Sequence, residues 1–183
     1  MRMDAGPDIT EFLERAADGD SAALNVLMPK VYATLRQLAR RQLARENALT
    51  LETTALVHEA YLTLAGQSAF AFADRTHFYA YTSRVMRHLL IDRARRKSAH
   101  KRQAVVQTMA SEEADIIDVL AVDEALNRLA ELSPRLARVA ELRLFAELSN
   151  IEIGGVVGVN TRTVERDWLK ARTFLCGCLA PAA

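Results

Sequence analysis

The chain is poor in glycine, in cysteine and in long apolar runs, and each shortage argues against a class of structure. It has only 7 glycines in 183 residues. No stretch alternates β-branched with polar residues, so strands are not expected. No run reaches the roughly 18 apolar residues that a membrane-spanning helix needs. The first residues lack the apolar core of a secretory signal. These absences predict a helical, cytoplasmic protein with no membrane partner.

The residues that usually carry catalysis or bind metals are also sparse. The two cysteines, Cys176 and Cys178, are too few for a four-ligand zinc site and too close together to staple a long loop. The four histidines are scattered, and no serine, cysteine or carboxylate has a catalytic partner nearby in the sequence. We therefore predict no catalytic residue, no metal site and no cofactor.

Charge is segregated along the chain, although the net charge is only +1. Residues 75–102 carry nine lysines and arginines against one acid, whereas residues 111–131 carry seven acids against one arginine. The first block has the composition of a polyanion-binding face, and the second that of a segment that avoids or imitates a polyanion. Two solvated helix faces are the alternative if either block is taken alone.

Helical periodicity runs through most of the sequence. Apolar residues recur at spacings of three and four from Leu24 to Leu38 and again from Phe78 to Leu89. The pattern lapses in a polar stretch and resumes at Ile117. This predicts an all-α protein of two small helical domains, residues 8–98 and 117–179, joined by a flexible linker over residues 99–116.

The second of these domains contains a helix-turn-helix pattern. Ser133 and Pro134 predict a capped helix start. Further along, a short helix should end near Gly158, and Asn160 should cap a longer helix. A short helix, a turn with glycine and a longer helix are typical of DNA-binding domains, although a plain packing helix is the alternative.

The longer helix of this pattern has one apolar and one polar face. Its apolar residues are expected in the core: Val164, Trp168, Ala171 and Leu175. Polar side chains at its N-terminal end would meet base edges, and a lysine further along would meet a backbone phosphate. An acid in this position must accept from a cytosine amino group. The predicted DNA-binding residues are Arg162, Thr163, Glu165, Arg166 and Lys170.

The basic block predicts a second nucleic-acid surface. Arg84, Arg87, His88, Ile91 and Arg95 follow helical spacing and share one face. That face is cationic, and it lies opposite an apolar stripe.

The segment before this helix, GQSAFAFADRTHF, mixes aromatic and basic residues. Phe70, Arg75 and His77 could hold unpaired bases, since each base–aromatic stack contributes about 1 to 3 kcal/mol. The alternative, weighed equally for Phe70 and Phe72, is that the rings fill the core.

Three segments, in the right order, resemble motifs of the extracytoplasmic-function (ECF) sigma factors of the sigma-70 family. ALVHEAYLTLA resembles the helix that docks on the β′ clamp helices of RNA polymerase, FYAYTSRVMRHLLIDRARR the helix that engages the −10 promoter element, and NTRTVERDWLKAR the helix that reads the −35 element. The resemblance implies sigma regions 2 and 4, with core RNA polymerase (β′ clamp helices and β flap) and promoter DNA as partners. Four positions depart from the family pattern: Tyr81, His88, Gly154 and Gly155.

The resemblance also implies a polymerase-binding surface on the first of these helices. Its residues would be Glu52, Thr53, Thr54, Leu56, His58 and Glu59. The family usually begins this helix with a cluster of carboxylates, and two of them are replaced here by threonine and alanine. Phosphorylation of Thr54, or failing that Thr53 or Thr50, would restore negative charge at a helix N-terminus.

The replacement of two carboxylates at the start of this helix predicts that a serine/threonine kinase activates the protein. It disfavours activation by release of the protein from an anti-sigma factor. The alternative is that the threonines only cap the helix. For the whole chain, two other functions compete with a sigma factor. They are a stand-alone helix-turn-helix regulator, which would not need the polymerase-binding helix, and a helical protein adaptor, which would not need the basic block.

Overall fold

The computed structural model describes residues 9–17, 20–43, 50–65, 72, 74–103 and 110–180. Every regular element in this part of the chain is an α-helix, which confirms the all-α prediction. The helices are α1 (Ile9–Ala17), α2 (Ser21–Leu43), α3 (Thr50–Ala65), α4 (Arg75–Gln103), α5 (Ala110–Leu132), α6 (Pro134–Phe145), α7 (Asn150–Val157) and α8 (Thr161–Leu179).

Helices α1 to α4 form an N-terminal domain around one apolar core. Within the described residues, the stripes predicted on α2 and α4 face this core together with the apolar side of α3. Each fully buried leucine or phenylalanine stabilises the fold by about 1.5–3 kcal/mol. Side chains with almost no exposed surface include Leu13, Leu27, Leu35, Leu56, Leu64, Phe78 and Met86.

Helices α5 to α8 form a C-terminal domain with two apolar clusters, one under α7 and the other between α5, α6 and α8. The indole of Trp168 packs against both clusters, so it joins them. A polar contact adds to this packing, because Arg135 Nε lies 2.7 Å from Oδ2 of the buried Asp167. α8, the predicted DNA-reading helix, is thereby fixed against α6.

In the interval predicted as a flexible linker, residues 99–116, the described residues are helical. Helix α4 continues to Gln103, and α5 begins at Ala110, well before the expected restart at Ile117. Residues 104–109 lie outside the described part of the chain. Polar composition removed the apolar periodicity from these turns but did not prevent helix formation, since charged residues and glutamine are good helix formers.

The two domains contact each other along α4. Ala80 of α4 is buried in the same cluster as Val139 and Leu142 of α6. The buried Gln42 donates from Nε2 to the carbonyl oxygens of Ser83, at 3.1 Å, and Phe145, at 3.3 Å. These contacts place the predicted basic face of α4 next to α5 and α6.

Candidate nucleic-acid interface

Helices α7 and α8 form the predicted helix-turn-helix, and local capping explains where each begins and ends. Ser149 and Glu152 form a capping box at the start of α7. Gly158 ends α7 with φ = 74°, the left-handed conformation that glycine adopts without steric cost. Asn160 caps α8 by accepting from the N–H of Thr163 at 2.8 Å. The predictions for Gly158 and Asn160 are confirmed.

The two glycines that depart from the family pattern have different surroundings. A Cβ on Gly154 would lie 2.6 Å from the carbonyl oxygen of Val159, whereas a Cβ on Gly155 would meet nothing within 4 Å. Gly154 therefore lets the turn pack closely on α7, and the N–H groups of Gly158 and Val159 both donate to its carbonyl oxygen. Gly155 makes no such close contact, so it lowers the helix propensity of α7 without a compensating gain in packing.

The side chains of α8 divide as the sequence predicted. Val164, Ala171 and Leu175 are buried and Trp168 is partly buried, which confirms the expected core face. The exposed face carries four of the five predicted DNA-binding residues, and Thr163 is partly exposed beside them. The exposed four are Arg162, Glu165, Arg166 and Lys170. This face is therefore open to a ligand along the first half of the helix.

Glu165 has a partner that sequence reasoning missed. Asn150, the first residue of α7, donates from Nδ2 to Glu165 Oε1 at 3.1 Å. The contact links the two helices of the motif and orients the carboxylate. The only feature of the sequence that pointed to this contact is an asparagine directly after the serine that caps α7.

The basic face of α4 is not uniformly exposed. Arg84, His88 and Arg95 reach the surface, but Arg87 and Ile91 are buried. Burial of Arg87 contradicts the prediction that its side chain lies on an exposed DNA-binding face. The reason is tertiary: this face of α4 meets α5 and α6.

Two carboxylates of the C-terminal domain hold Arg87 in place. Its guanidinium group pairs with Asp123 of α5 and, at 2.9 Å, with Glu141 of α6. The same group lies 5.3 Å from the centre of the Phe145 ring. Asp123 also accepts from Arg95 at 3.1 Å. These carboxylates link the two domains through ion pairs.

His88 lies beside this ion-pair cluster. Although His88 reaches the surface, partial burial of its side chain lowers its pKa below the ordinary value of 6.5, and the neighbouring charges of Arg87 and Arg84 lower it further, against smaller opposing effects of Glu141 and Asp123. The imidazole therefore stays neutral to more acidic pH than a free histidine. It can act as a hydrogen-bonding group but not as a cation near neutral pH.

A model of one protein family matches nearly the whole chain: it is described as ECF sigma factor and covers residues 6–179. The chain belongs to this family. Members are transcription initiation factors that act with RNA polymerase on promoter DNA. Among curated proteins, no significant match is found.

Within the described residues of this sigma factor, no helix is long and apolar enough to cross a membrane. The same part of the chain contains no group of three or more His, Cys, Asp or Glu residues that could hold a metal ion.

The segment before α4 is only partly described. Phe70 lies outside the described residues. Phe72 packs on the core, with its ring centre 5.6 Å from that of Phe78 and 5.3 Å from that of Tyr81, so it fills the domain as the structural alternative held. Arg75 is partly exposed at the start of α4.

His77 takes part in the start of α4. Its backbone N–H donates to Asp74 Oδ1 at 2.9 Å, and its ring Nδ1 lies 3.1 Å from the same oxygen. Burial raises the pKa of Asp74, but the hydrogen bonds from His77 outweigh it, and the net pKa is below 3.8. The partly exposed His77 therefore has a structural partner before any contact with DNA.

The polymerase-binding residues predicted on α3 divide into exposed and buried ones. Glu52, Thr54 and His58 are exposed, and Glu59 is partly exposed and pairs with Arg93 of α4 at 2.6 Å. Leu56 has no exposed surface.

Thr53 is only 2% exposed, so Thr53 and Leu56 both correct the prediction that they lie on the polymerase-binding surface. Thr53 precedes Leu56 by three residues and Val57 by four, so it lies on the apolar face. Neither Thr53 nor Leu56 offers a side chain to polymerase or to a kinase in this packing.

Proposed function

We propose that this chain directs core RNA polymerase to promoters by reading the −35 element with α8 and engaging the −10 element with α4. The observation that carries the proposal is the exposed cationic half of α8, held in a helix-turn-helix by Gly158 and Asn160. A helix N-terminus with arginines at its surface suits base edges and phosphates. Since promoters and polymerase meet in the bacterial cytoplasm, we place its action there.

The proposed contact with the β′ clamp helices uses the exposed residues of α3. Glu52, Thr54 and His58 are exposed and Glu59 is partly exposed, whereas Leu56 is fully buried. The C-terminal domain would meet the β flap. We assign the polymerase no contact with Thr53 or Leu56.

A stand-alone helix-turn-helix regulator is the competing function. Such a protein would use α7 and α8 alone, and it would leave the exposed polar surface of α3 and the arginines of α4 without a role. Membership of the ECF sigma factor family over residues 6–179 favours the polymerase-dependent function.

The experiment that separates these functions is size exclusion with core RNA polymerase, followed by transcription of genomic DNA and mapping of the RNA 5′ ends. A sigma factor co-elutes with core polymerase, and its start sites share sequences upstream at −35 and −10. Binding of DNA fragments without polymerase, combined with failure to co-elute, would establish the stand-alone regulator instead.

We further propose that phosphorylation of Thr54 strengthens polymerase binding. Thr54 is exposed near the N-terminal end of α3, where phosphate would add about −1.5 to −2 charge and three acceptor oxygens. Thr50 begins α3, but its side chain lies outside the described part, and it stays the second candidate. Burial removes Thr53 from the set.

The test compares core-polymerase affinity for the wild type, Thr54→Ala and Thr54→Glu, each with and without a serine/threonine kinase and ATP. Thr63→Glu is the matched control, because it adds the same charge at an exposed position of the same helix. Thr54→Glu should bind more tightly than Thr63→Glu, and the kinase should have no effect on Thr54→Ala. Full transcription by unphosphorylated Thr54→Ala would refute the proposal.

A further inference from the structure

The arginines proposed to meet the −10 element already bind carboxylates of the same chain. Arg87 is only 8% exposed and contacts Asp123 and Glu141, while Arg95 also contacts Asp123. Arg84 Nε lies 3.8 Å from Glu141. Two carboxylates from two helices of the C-terminal domain thus surround the guanidinium group of Arg87.

Both carboxylates are themselves well sheltered. The side chains of Asp123 and Glu141 are 9% and 12% exposed. Glu141 accepts a further bond from Arg138 at 2.7 Å, and Asp123 one from Asn127 at 3.4 Å. A phosphate group cannot approach Arg87 unless this pair first moves away, because the guanidinium group is enclosed.

Three other contacts join the same two surfaces. Gln42 bridges the carbonyl oxygens of Ser83 and Phe145. Ala80 is buried under α6, and Arg41 of α2 forms an ion pair with Glu147 of the α6–α7 connection. The interface therefore combines apolar burial, a buried amide and ion pairs, and it does not rest on one surface salt bridge, which would contribute little.

We propose that this is a closed form, in which the C-terminal domain covers the −10-binding face of α4 and uses Asp123 and Glu141 to imitate the DNA backbone. Promoter engagement requires the two domains to separate, which exposes Arg87 and frees Arg84 and Arg95. Only a fraction of free molecules is then competent to bind the melted strand, and the apparent affinity is reduced by that fraction. The DNA part of this inference rests on the proposed function, whereas domain separation can be measured without it.

The test weakens the carboxylates without changing their shape. Asp123→Asn with Glu141→Gln removes two negative charges at the contact. Glu124→Gln with Glu131→Gln removes the same number from exposed positions of α5 and is the matched control. The control matters because any loss of acid raises DNA affinity through long-range attraction.

Domain separation is measured first, by spin labels on Leu62→Cys and Thr173→Cys, in a chain whose native Cys176 and Cys178 are replaced by serine. Both labelled positions are exposed, one in each domain. The wild type and the control should give one narrow distance distribution, and the Asp123→Asn, Glu141→Gln variant a broader and longer one. Identical distributions in all three, or a broad one in the wild type, would overturn the closed form.

Binding of a short, fluorescein-labelled single-stranded DNA of mixed sequence is measured next. If about one molecule in ten is open in the wild type, the Asp123→Asn, Glu141→Gln variant should bind about tenfold more tightly. The control should gain clearly less. If the Asp123→Asn, Glu141→Gln variant shows longer distances but binds DNA no more tightly than the control, the domains do not mask a DNA-binding face, and α4 is not part of the DNA interface. If the distances are unchanged, only the closed form is rejected.

A second approach covers the case in which the Asp123→Asn, Glu141→Gln variant does not fold. Arg41→Lys places an amine beside Glu147, and a carbodiimide then joins the two side chains by an amide bond only if the domains are in contact. The cross-linked chain should bind the single strand more weakly than the same variant without the reagent. Failure to cross-link, or equal DNA binding after cross-linking, would contradict the proposal.

Discussion

At the scale of single residues, the two adjacent glycines of α7 both depart from the family pattern, but they have different surroundings. Gly154 lies against the carbonyl oxygen of Val159, and Gly155 faces open space. The sequence indicated only that both lower helix propensity. Which one is required depends on the path of the turn after α7, and that is not visible in local spacing.

We predict that Gly155→Ala stabilises the protein by about 0.5–1 kcal/mol, since alanine is the better helix former. Gly154→Ala should destabilise it by roughly 1–3 kcal/mol, because the added carbon would force the turn away from α7. Urea unfolding of both variants gives the comparison. A Gly154→Ala protein as stable as the wild type would show that the close approach to Val159 is unimportant.

A pH dependence follows from His88. Because its pKa in the folded protein lies below 6.5, the unfolded chain binds the proton more readily. The stabilising contribution of neutral His88 is therefore complete above about pH 6.5 and is lost as the pH falls below it.

We expect the melting temperature to fall on acidification from about pH 7.5 to about pH 5.5, and His88→Gln to reduce that fall. His58→Gln, which removes an exposed histidine of α3, is the control. An equal fall in His88→Gln and in the wild type would contradict the argument.

Burial on α3 was accessible to sequence reasoning in principle. Thr53 has the same helical spacing to Leu56 and Val57 as a core residue. A family motif assigns roles by position in the motif, whereas the apolar periodicity of the helix decides which of its side chains are buried.

At the scale of elements, helix starts with strong local signals were predicted well. Ser133 with Pro134 and Asn160 cap helices where expected, since capping depends on residues within one turn. The ends of the helices that flank the linker were harder to predict, because α4 and α5 extend into residues 99–116 through polar residues that give no apolar stripe.

The recognition helix α8 should separate sequence reading from backbone binding. Arg162→Ala and Arg166→Ala should each reduce the free energy of binding to a −35 sequence. The expected loss is about 1–3 kcal/mol for each base contact that the arginine makes. Lys170→Ala should weaken binding evenly across sequences and reduce the salt dependence by about one charge. Fluorescence anisotropy with matched and scrambled −35 duplexes, titrated with the polymerase-bound protein, measures both effects.

Arg40→Ala is the control for these variants, because it removes an exposed arginine of α2. Equal reductions in affinity on matched and scrambled duplexes for Arg162→Ala and Arg166→Ala would mean that α8 binds only the backbone.

At the scale of the whole molecule, the contact between the domains was beyond sequence reasoning. Arg87 pairs with residues 36 and 54 positions away, and no local spacing reveals such pairs. The segregated charges did contain a hint, because an acidic block after a basic one was expected to avoid or imitate a polyanion. In the structure, one acid of that block, Asp123, contacts two arginines of the basic one.

We propose that α4 opens promoter DNA once this chain is bound to polymerase. Arg84 and Arg95 are the side chains with which to test it, since they are 52% and 61% exposed. Replacing Arg87 would be ambiguous, because it would leave the buried carboxylates of Asp123 and Glu141 unpaired.

The most direct measurement is permanganate reactivity of thymines around the −10 element of a promoter mapped with the wild type. Core polymerase with wild-type protein should make these thymines reactive, as should the exposed control Arg40→Ala with Arg128→Ala. Arg84→Ala with Arg95→Ala should still co-elute with polymerase but leave the thymines unreactive. Full reactivity with that double variant, or none with the wild type, would contradict the account.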